Sequence, residues 1–307
     1  MILIITHKED YTVDFVVNKL NEKRIPYYRF NTEDLLSKEF VDIFIDDRRL
    51  FINFSNLNSI KSVWFRRIKI PHFEHIPNSV NKYIHNELRV YFSNLWELLE
   101  AKWLSIPKFI YRAENKFLQL NEARKIGFEI PSTLISYDPN RINKFFNDNN
   151  GDVIVKPIFN NEFKLQDKSK HIYTNKIDRN QIDKISEYFP LPSIFQSYIE
   201  KEIEVRITVV ENQIFSAYVD SQSSIETSID WRRKRNKFYE INLPESIKEK
   251  CVQLVKKLNL SFGAIDMIKT KEGKFVFLEI NPNGQWGWIE LETQLPISDS
   301  IIEFLKN

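Results

Sequence analysis

Apolar positions at the start of the chain come in two kinds of run. Met1–Thr6 is nearly continuous, Tyr11–Lys23 repeats its apolar residues at helical spacing, and Pro26–Phe30 is a second short run. That order predicts strand, helix, strand, the start of a small α/β layer. Val41–Ile45 and Leu50–Phe54 flank Asp46–Arg49 as a hairpin, and Ser62–Arg67 is a further strand ending in two arginines. From Asn78 to Leu104, Val80, Ile84, Leu88, Tyr91, Leu95 and Leu98 recur every three or four residues, which predicts one long helix with a core-facing stripe. Ser105–Pro107 ends it, and a domain boundary is expected near residue 112.

Beyond that boundary the pattern becomes α+β. A helix over Glu114–Ile126 stops at Gly127, and strands Ser132–Ser136 and Val153–Lys156 bracket a helix at Pro139–Asn147. A polar loop, Asn160–Lys170, follows. Ser193–Ile199, Glu204–Val210 and Gln213–Val219 read as strands, Ser246–Leu258 as a helix, and Phe262–Lys269 with Lys274–Ile280 as a closing pair.

That last pair carries the first chemical signal. Side chains alternate along a strand, so Phe275, Phe277, Glu279 and Asn281 are expected on one face, with Val276, Leu278 and Ile280 on the other. A carboxylate in so apolar a run costs several kcal/mol on burial unless it has a partner. Pairing Lys269 with Lys274 puts Asp266 across from Phe277; a two-residue shift puts it across from Glu279. Either register sets Asp266, Glu279 and Asn281 on one face, roughly 5–8 Å apart at their β-carbons, whereas a one-residue slip would not. Oxygen donors without accompanying Cys or His suit a hard cation such as Mg²⁺. Pairing with lysines is the plainer alternative.

Bulk properties narrow the class. The 307 residues suffice for two or three domains, and no apolar stretch approaches the ~20 residues of a bilayer crossing. The opening MILIITHKEDY has no basic leader or small-residue cleavage site, and the single Cys251 fits a reducing compartment, so the cytoplasm is expected. Forty-four basic against 42 acidic residues give +2, too balanced for a general nucleic-acid binder, although Asp230–Lys237 (DWRRKRNK) is locally basic. Pro71–His75 holds two histidines and a glutamate in a loop, too few ligands for zinc, and Trp286 and Trp288 read as core or pocket-wall aromatics.

The passage FGAIDMI…KFVFLEINPNGQW resembles the metal-binding end of ATP-grasp ligases, where an Asp on one strand and Glu-x-Asn on the next hold Mg²⁺ and ATP. Other segments follow in that family's order. Lys116 at a helix start and Lys156 on a strand resemble its two nucleotide lysines; Gln196, Ser197, Tyr198 and Ile199 are similar to its adenine-contacting hinge; Lys201-x-x-Glu204-x-Arg206 resembles its ribose and acyl-phosphate strand. WFRR, NKFLQLNEARKIGFEIPSTLIS, DWR and NPNGQWGWIELETQLPISDSI narrow the resemblance, over nearly the full chain, to graspetide synthetases, the microviridin-type ligases that macrocyclise ribosomal peptides. One departure stands out, because the triphosphate-covering loop is often glycine-rich and Phe159–His171 has no glycine. Lys164, Lys168 or Lys170 is expected to supply charge there instead.

The resemblance implies an ATP-grasp fold of mixed α/β and α+β class. An N-terminal pre-ATP-grasp α/β domain (1–112) would be followed by two α+β subdomains clasping ATP, central (113–199) and C-terminal (200–307). It implies that a substrate carboxylate attacks the γ-phosphate of ATP, and that a hydroxyl or amine of the same peptide then displaces phosphate to close an ester or amide ring. Asp266, Glu279 and Asn281 would hold Mg²⁺, Lys116 and Lys156 the phosphates, and Arg206 and Arg232 the acyl phosphate and incoming carboxylate. Arg66 and Arg67 would meet acidic substrate residues or simply face solvent, and Asp230 and Trp231 would border the substrate. The implied partner is a precursor peptide with a leader and an acidic, Thr/Ser-rich core, with no nucleic acid and no membrane; a homodimer is left open. No general base is legible, with Asp230, a phosphate oxygen and a substrate group as candidates. An amino-acid-adding ATP-grasp ligase and a nucleotide-binding regulator without turnover are the competing readings, and a nucleic-acid binder is a weaker third.

Overall fold

A computed structural model describes the chain except residues 55, 56, 58, 160, 161, 166, 167, 172, 173, 188–190, 225, 226, 228 and 235, with the backbone alone for 162–165, 168–171 and 186. The N-terminal unit runs β1 (Ile2–Thr6), α1 (Tyr11–Glu22), β2 (Tyr27–Asn31), β3 (Val41–Ile45), β4 (Leu50–Phe54), β5 (Ser62–Phe65), α2 (Asn78–Leu98), β6 (Lys102–Leu104) and α3 (Pro107–Ala113). Its main sheet has the order β2-β1-β5-β6, every neighbour parallel. Strand alternation serves both faces. Leu3 and Ile5 join a core with Phe92, Leu95 and Trp96 of α2, whereas Ile2 and Ile4 join a second core with Val13, Val16 and Leu20 of α1. Both faces are thus covered, as a parallel sheet requires. The hairpin β3–β4 forms as expected, with Ile45 paired to Leu50.

The expected helix over 78–104 divides. The backbone of Leu99 turns to φ −82°, ψ 102°, and Lys102–Leu104 becomes the fourth parallel strand rather than a last helical turn. Only the C-terminal half of the stripe is core: Leu95 is buried, but Val80 is exposed.

The central unit comprises α4 (Lys116–Ile126), β7 (Thr133–Ser136), α5 (Pro139–Asp148), β8 (Val153–Lys156), β9 (Glu162–Leu165), β10 (Lys168–His171), β11 (Asn175–Ile177), α6 (Arg179–Asp183) and β12 (Ser193–Ser197). Four of its strands form an antiparallel sheet, β11-β8-β12-β7, on which Ile142 and Phe146 of α5 and Ile182 of α6 pack. The stretch read as a polar loop is a hairpin in its backbone, β9 against β10. Gln166 and Asp167, and the side chains of Lys164, Lys168 and Lys170, lie outside the described residues.

The C-terminal unit holds β13 (Ile203–Val210), β14 (Gln213–Val219), β15 (Tyr239–Glu240), α7 (Glu245–Lys257), β16 (Phe262–Lys269), β17 (Phe275–Asn281), α8 (Gly287–Thr293) and α9 (Ile297–Lys306). Its antiparallel sheet runs β15-β14-β13-β16-β17. Val205, Ile207, Ile265, Met267, Phe277 and Ile280 bury one face with Leu254 and Val255 of α7. Helix α9 returns to the first unit, where Ile301 and Leu305 share the core of α1 and the Ser62 hydroxyl donates to the Leu305 carbonyl at 2.5 Å.

The register of β16 and β17 changes along the hairpin: its inner end takes the two-residue-shifted pairing expected above, and its turn end takes neither expected one. At the turn end Lys269 pairs with Phe275 and Met267 with Phe277, the one-residue slip that would misplace the carboxylates. A β-bulge then takes up Leu278, and Asp266 pairs with Glu279 and Ala264 with Asn281. Phe277 accordingly lies on the helix-covered side with Ile280, not beside Glu279. The extra residue restores the polar row.

Candidate active site

Across the open face of the C-terminal sheet, Arg206, Asp266 and Glu279 are directly paired on β13, β16 and β17. Arg206 Nη1 donates to Asp266 Oδ2 at 2.7 Å, and Asn281 Nδ2 reaches the same oxygen at 3.2 Å. Helix α4 lies alongside. The Gln119 amide donates to the Ile280 carbonyl at 2.8 Å and accepts from the Ile280 N–H at 3.1 Å, fastening β17 to the helix. One turn earlier Lys116, at the first helical position after the Asn115 cap, sets its ammonium 3.9 Å from Glu279 and donates to the Pro157 carbonyl at 3.3 Å.

The titrations follow from this crowding. Burial and the neighbouring Glu279 anion push Asp266 above the usual carboxylate range, against the pull of Arg206. Burial alone would raise Glu279 too, but Lys156, Lys116 and Arg232 outweigh it and hold it low. Burial drops the Lys156 ammonium to about 8, with Glu279 opposing and Lys116 and Arg232 reinforcing. Two carboxyls side by side, faced by lysines and a carboxamide, form an all-oxygen donor set that fits a hard divalent cation.

A cavity of about 540 Å³ opens over this row between the three units. Its walls include Lys116, Lys156, Gln196–Ile199, Lys201, Glu204, Asp230, Trp231, Arg232, Asp266, Glu279 and Asn281, together with Arg66 and Arg67. Gln196 is fully buried; its Nε2 donates to the Thr133 hydroxyl at 2.9 Å, leaving Oε1 without a hydrogen-bond partner among the described residues. Lys201 bridges Glu204 Oε1 at 2.8 Å and the Ile229 carbonyl at 3.0 Å. Burial still raises the Glu204 carboxyl. Asp230 caps the turn that follows it and holds Arg232 by a fork, Nε at 2.8 Å and Nη2 at 2.6 Å. Although burial opposes it, that fork keeps the Asp230 carboxyl low, and the Arg232 guanidinium is correspondingly raised. Trp231 packs edge-on against Phe238 and tilts against Trp288, while Trp286 is wholly buried beside Phe15.

Two expected site residues sit differently from the others. Arg206 is absent from the cavity wall. Its Nη2 donates to the Gln285 carbonyl at 3.2 Å, so both terminal nitrogens are in use beneath Asp266. Arg66 is only 1% exposed, which rules out the solvent-facing alternative, and its guanidinium is engaged within the protein. It donates to Asp10 at 3.3 Å, to the Asn283 carbonyl at 3.3 Å and to Gln285 Oε1 at 3.4 Å. Arg67 is the exposed member of the pair.

Sequence reasoning passed over Asp10, Gln119, Gly284 and Gln285. Asn281–Gly284 closes as a tight turn, the Gly284 N–H donating to the Asn281 carbonyl at 3.1 Å, so the NPNG string was the available signal. Among the described residues no group of three or more His, Cys, Asp or Glu could hold a metal, and His72 and His75 lie in a loop.

A family profile described as the MvdD pre-ATP grasp domain matches residues 1–109, and one described as the RimK-like ATP-grasp domain matches residues 113–305. The chain belongs to the RimK-like ATP-grasp family. It is 28% identical to a Chryseobacterium gregarium RiPP-associated ATP-grasp ligase solved with ADP and a leader and core peptide, at a TM-score of 0.92 over 99% of this chain and 96% of that one. It is 27% identical to the Microcystis aeruginosa macrocyclase MdnC, solved with precursor peptide MdnA, at a TM-score of 0.89 over 100% and 99%. To macrocyclase MdnB from the same organism it is 26% identical, at 0.81 over 99% and 98%. No curated protein matches the chain. The ATP-grasp fold and the ADP-forming ligase class implied by the sequence are both met. No helix among the described residues is long and apolar enough to cross a membrane.

Proposed function

We propose that this ATP-grasp ligase activates side-chain carboxylates of a ribosomal precursor peptide as acyl phosphates and closes macrocyclic ester or amide links. The peptide would carry a leader and an acidic, Thr/Ser-rich core, and the likeness to MdnC and to the Chryseobacterium ligase supports this reading. The observation that carries it is the paired row of Asp266 and Glu279, faced by Lys116 and Lys156, on the floor of one cavity that Arg67 of the first unit also borders.

Asp266, Glu279 and Asn281 would hold Mg²⁺, which when bound neutralises triphosphate charge. Lys116 and Lys156 would contact phosphate oxygens as point charges, and Gln196–Ile199 would border the adenine. Lys201 and Glu204 would lie by the ribose. Arg206, sealed under the floor, would act by holding Asp266 in place. Arg232, its fork fixed by Asp230, would meet the incoming carboxylate, with Arg67 and Trp231 bordering the peptide. Most of the barrier would be lowered by positioning and charge neutralisation.

The test is incubation with ATP, Mg²⁺ and a leader-bearing peptide with such a core. ADP release with loss of one water per ring, read by mass spectrometry, is expected. Addition of whole residue masses would overturn the macrocyclase reading.

A further inference from the structure

Among the described residues five carboxyl groups border the cavity, those of Glu114, Glu204, Asp230, Asp266 and Glu279. Four are engaged: Glu204 with Lys201 at 2.8 Å, Asp230 with Arg232 at 2.6 Å, Asp266 with Arg206 at 2.7 Å and Glu279 with Lys116 at 3.9 Å. Glu114 makes no side-chain hydrogen bond or ion pair among the described residues. Its backbone is nonetheless fixed, since it closes α3 with its N–H donating to the Ile110 carbonyl at 3.1 Å, immediately before the Asn115 cap and Lys116.

Its surroundings suit a proton acceptor. Tyr111, one turn earlier on α3, stacks edge-on against Phe65 at 6.1 Å between centroids and also borders the cavity. Arg67, two residues after Phe65, faces the same space and is the charge that acts on Glu114. Glu114 is exposed at the edge of the cavity, and such burial as its carboxyl has pushes it above the ordinary glutamate range, with Arg67 pulling the other way. Glu204 and Asp266 are raised as well, but each is held in an ion pair, so Glu114 is the one of the five, among the described residues, whose oxygens are open to accept a proton.

We propose that Glu114 is a catalytic residue, the general base that deprotonates the attacking hydroxyl of the peptide during ester closure. This rests on the macrocyclase reading above. The hydroxyl proton passes to the Glu114 carboxylate as the oxygen bonds to the acyl-phosphate carbonyl carbon. The bond from that carbon to the phosphate oxygen breaks, inorganic phosphate leaves with the electron pair, and Glu114 returns its proton to solvent.

The experiment compares wild type, Glu114→Gln and Glu114→Asp with ATP and Mg²⁺, using precursor peptide MdnA and the leader and core peptide of the Chryseobacterium ligase as probes. Hydroxylamine is added in parallel to trap activated carboxyl groups as hydroxamates. Glu114→Gln is expected to keep hydroxamate formation, which also shows that it folds, and to lose roughly 100-fold or more in ring closure. It should also lose the acidic limb of the kcat/KM profile, which Glu114→Asp restores in part. Ring closure by Glu114→Gln at the wild-type rate overturns the inference, as does loss of hydroxamate together with ring closure, or a rise in KM with kcat unchanged. A wild type that yields neither hydroxamate nor dehydrated peptide overturns the macrocyclase reading, and this inference with it.

Discussion

Gly284 is the tightest point of the loop that joins the carboxylate strand to the first domain, and alanine there provides a sharp test. A methyl group would land 2.4 Å from the Ala264 β-carbon, 2.6 Å from Arg206 Nη2 and 3.2 Å from the Asn281 β-carbon. Ordinary carbon–carbon contact is about 3.5–4.0 Å, so the overlap with Ala264 exceeds ~1 Å. Ala264 is fully buried on β16 and has no rotamer with which to yield. The loop or the Arg206 guanidinium must move, and both carry hydrogen bonds to Asp266 or Gln285. Overpacking of this kind costs about 1–3 kcal/mol. With unfolding entropy near 2.1 cal/mol/K per residue over the 307-residue chain, that corresponds to a Tm lowered by roughly 2–5 °C. A displacement of about 1 Å in a positioning group can cost ~100-fold in turnover. Thermal unfolding and peptide-dependent ADP release are the assays. Adding Ala264→Gly should recover part of the Tm but not the turnover, because the clash with Arg206 remains. Wild-type melting and turnover in Gly284→Ala would refute the reasoning.

The other expectations concern buried titratable groups. Burial alone would raise the Asp10 carboxyl, but Arg66 and the Thr6 hydroxyl outweigh it and hold it below the usual carboxylate range. Its stabilisation is therefore complete above the unfolded carboxyl value of about 4 and lost as pH falls through the lower folded one. Arg66→Met leaves that anion buried without its cation and should destabilise by about 3–5 kcal/mol at neutral pH, a penalty that shrinks on acidification; urea midpoints from pH 7 to 3 check this. Burial pushes the Cys251 thiol up to about 12, so thiol reagents at pH 8 should label it only in denaturant, and fast native labelling contradicts this. The Lys156 ammonium, lowered to about 8, loses its charge as pH rises through that value, so ATP affinity should fall between pH 7 and 9. Lys156→Arg should flatten that profile, and calorimetric titration reads both.

What the sequence revealed divides along the range of the interactions involved. The helix-start position of Lys116 was legible because its Asn cap is adjacent in the chain, and the strand that leads into Gln196–Ile199 because Ser193–Ser197 is one extended piece. The strand Lys102–Leu104 was hidden, because three residues that continue a helical stripe carry no period of their own. Arg66 read as a free charge because its partners, Asp10, Asn283 and Gln285, lie 56 to 219 positions away. Thr12 also hydrogen-bonds to Gln285, so a single loop ties the first domain to the carboxylate strand. Nothing local to WFRR announces that.

The bulge at Leu278 is the deeper case. Parity placed Glu279 on the right face, and the shifted register that pairs it with Asp266 holds at the inner end of the hairpin but not at the turn. Phe275, Val276, Phe277 and Leu278 are all apolar, so no change of polarity marks which of them is extra. Had the outer register continued, with Met267 still opposite Phe277, Leu278 would face Asp266 and Glu279 would face Ile265. Ile265 is fully buried in the core under α7, where an unpartnered carboxylate costs several kcal/mol. The fold thus gives Phe277 to that core and Glu279 to the cavity by spending one residue between them, and two carboxylates meet across adjacent strands only because of it. In this hairpin the chemistry depends on the irregularity, which alternation alone cannot encode.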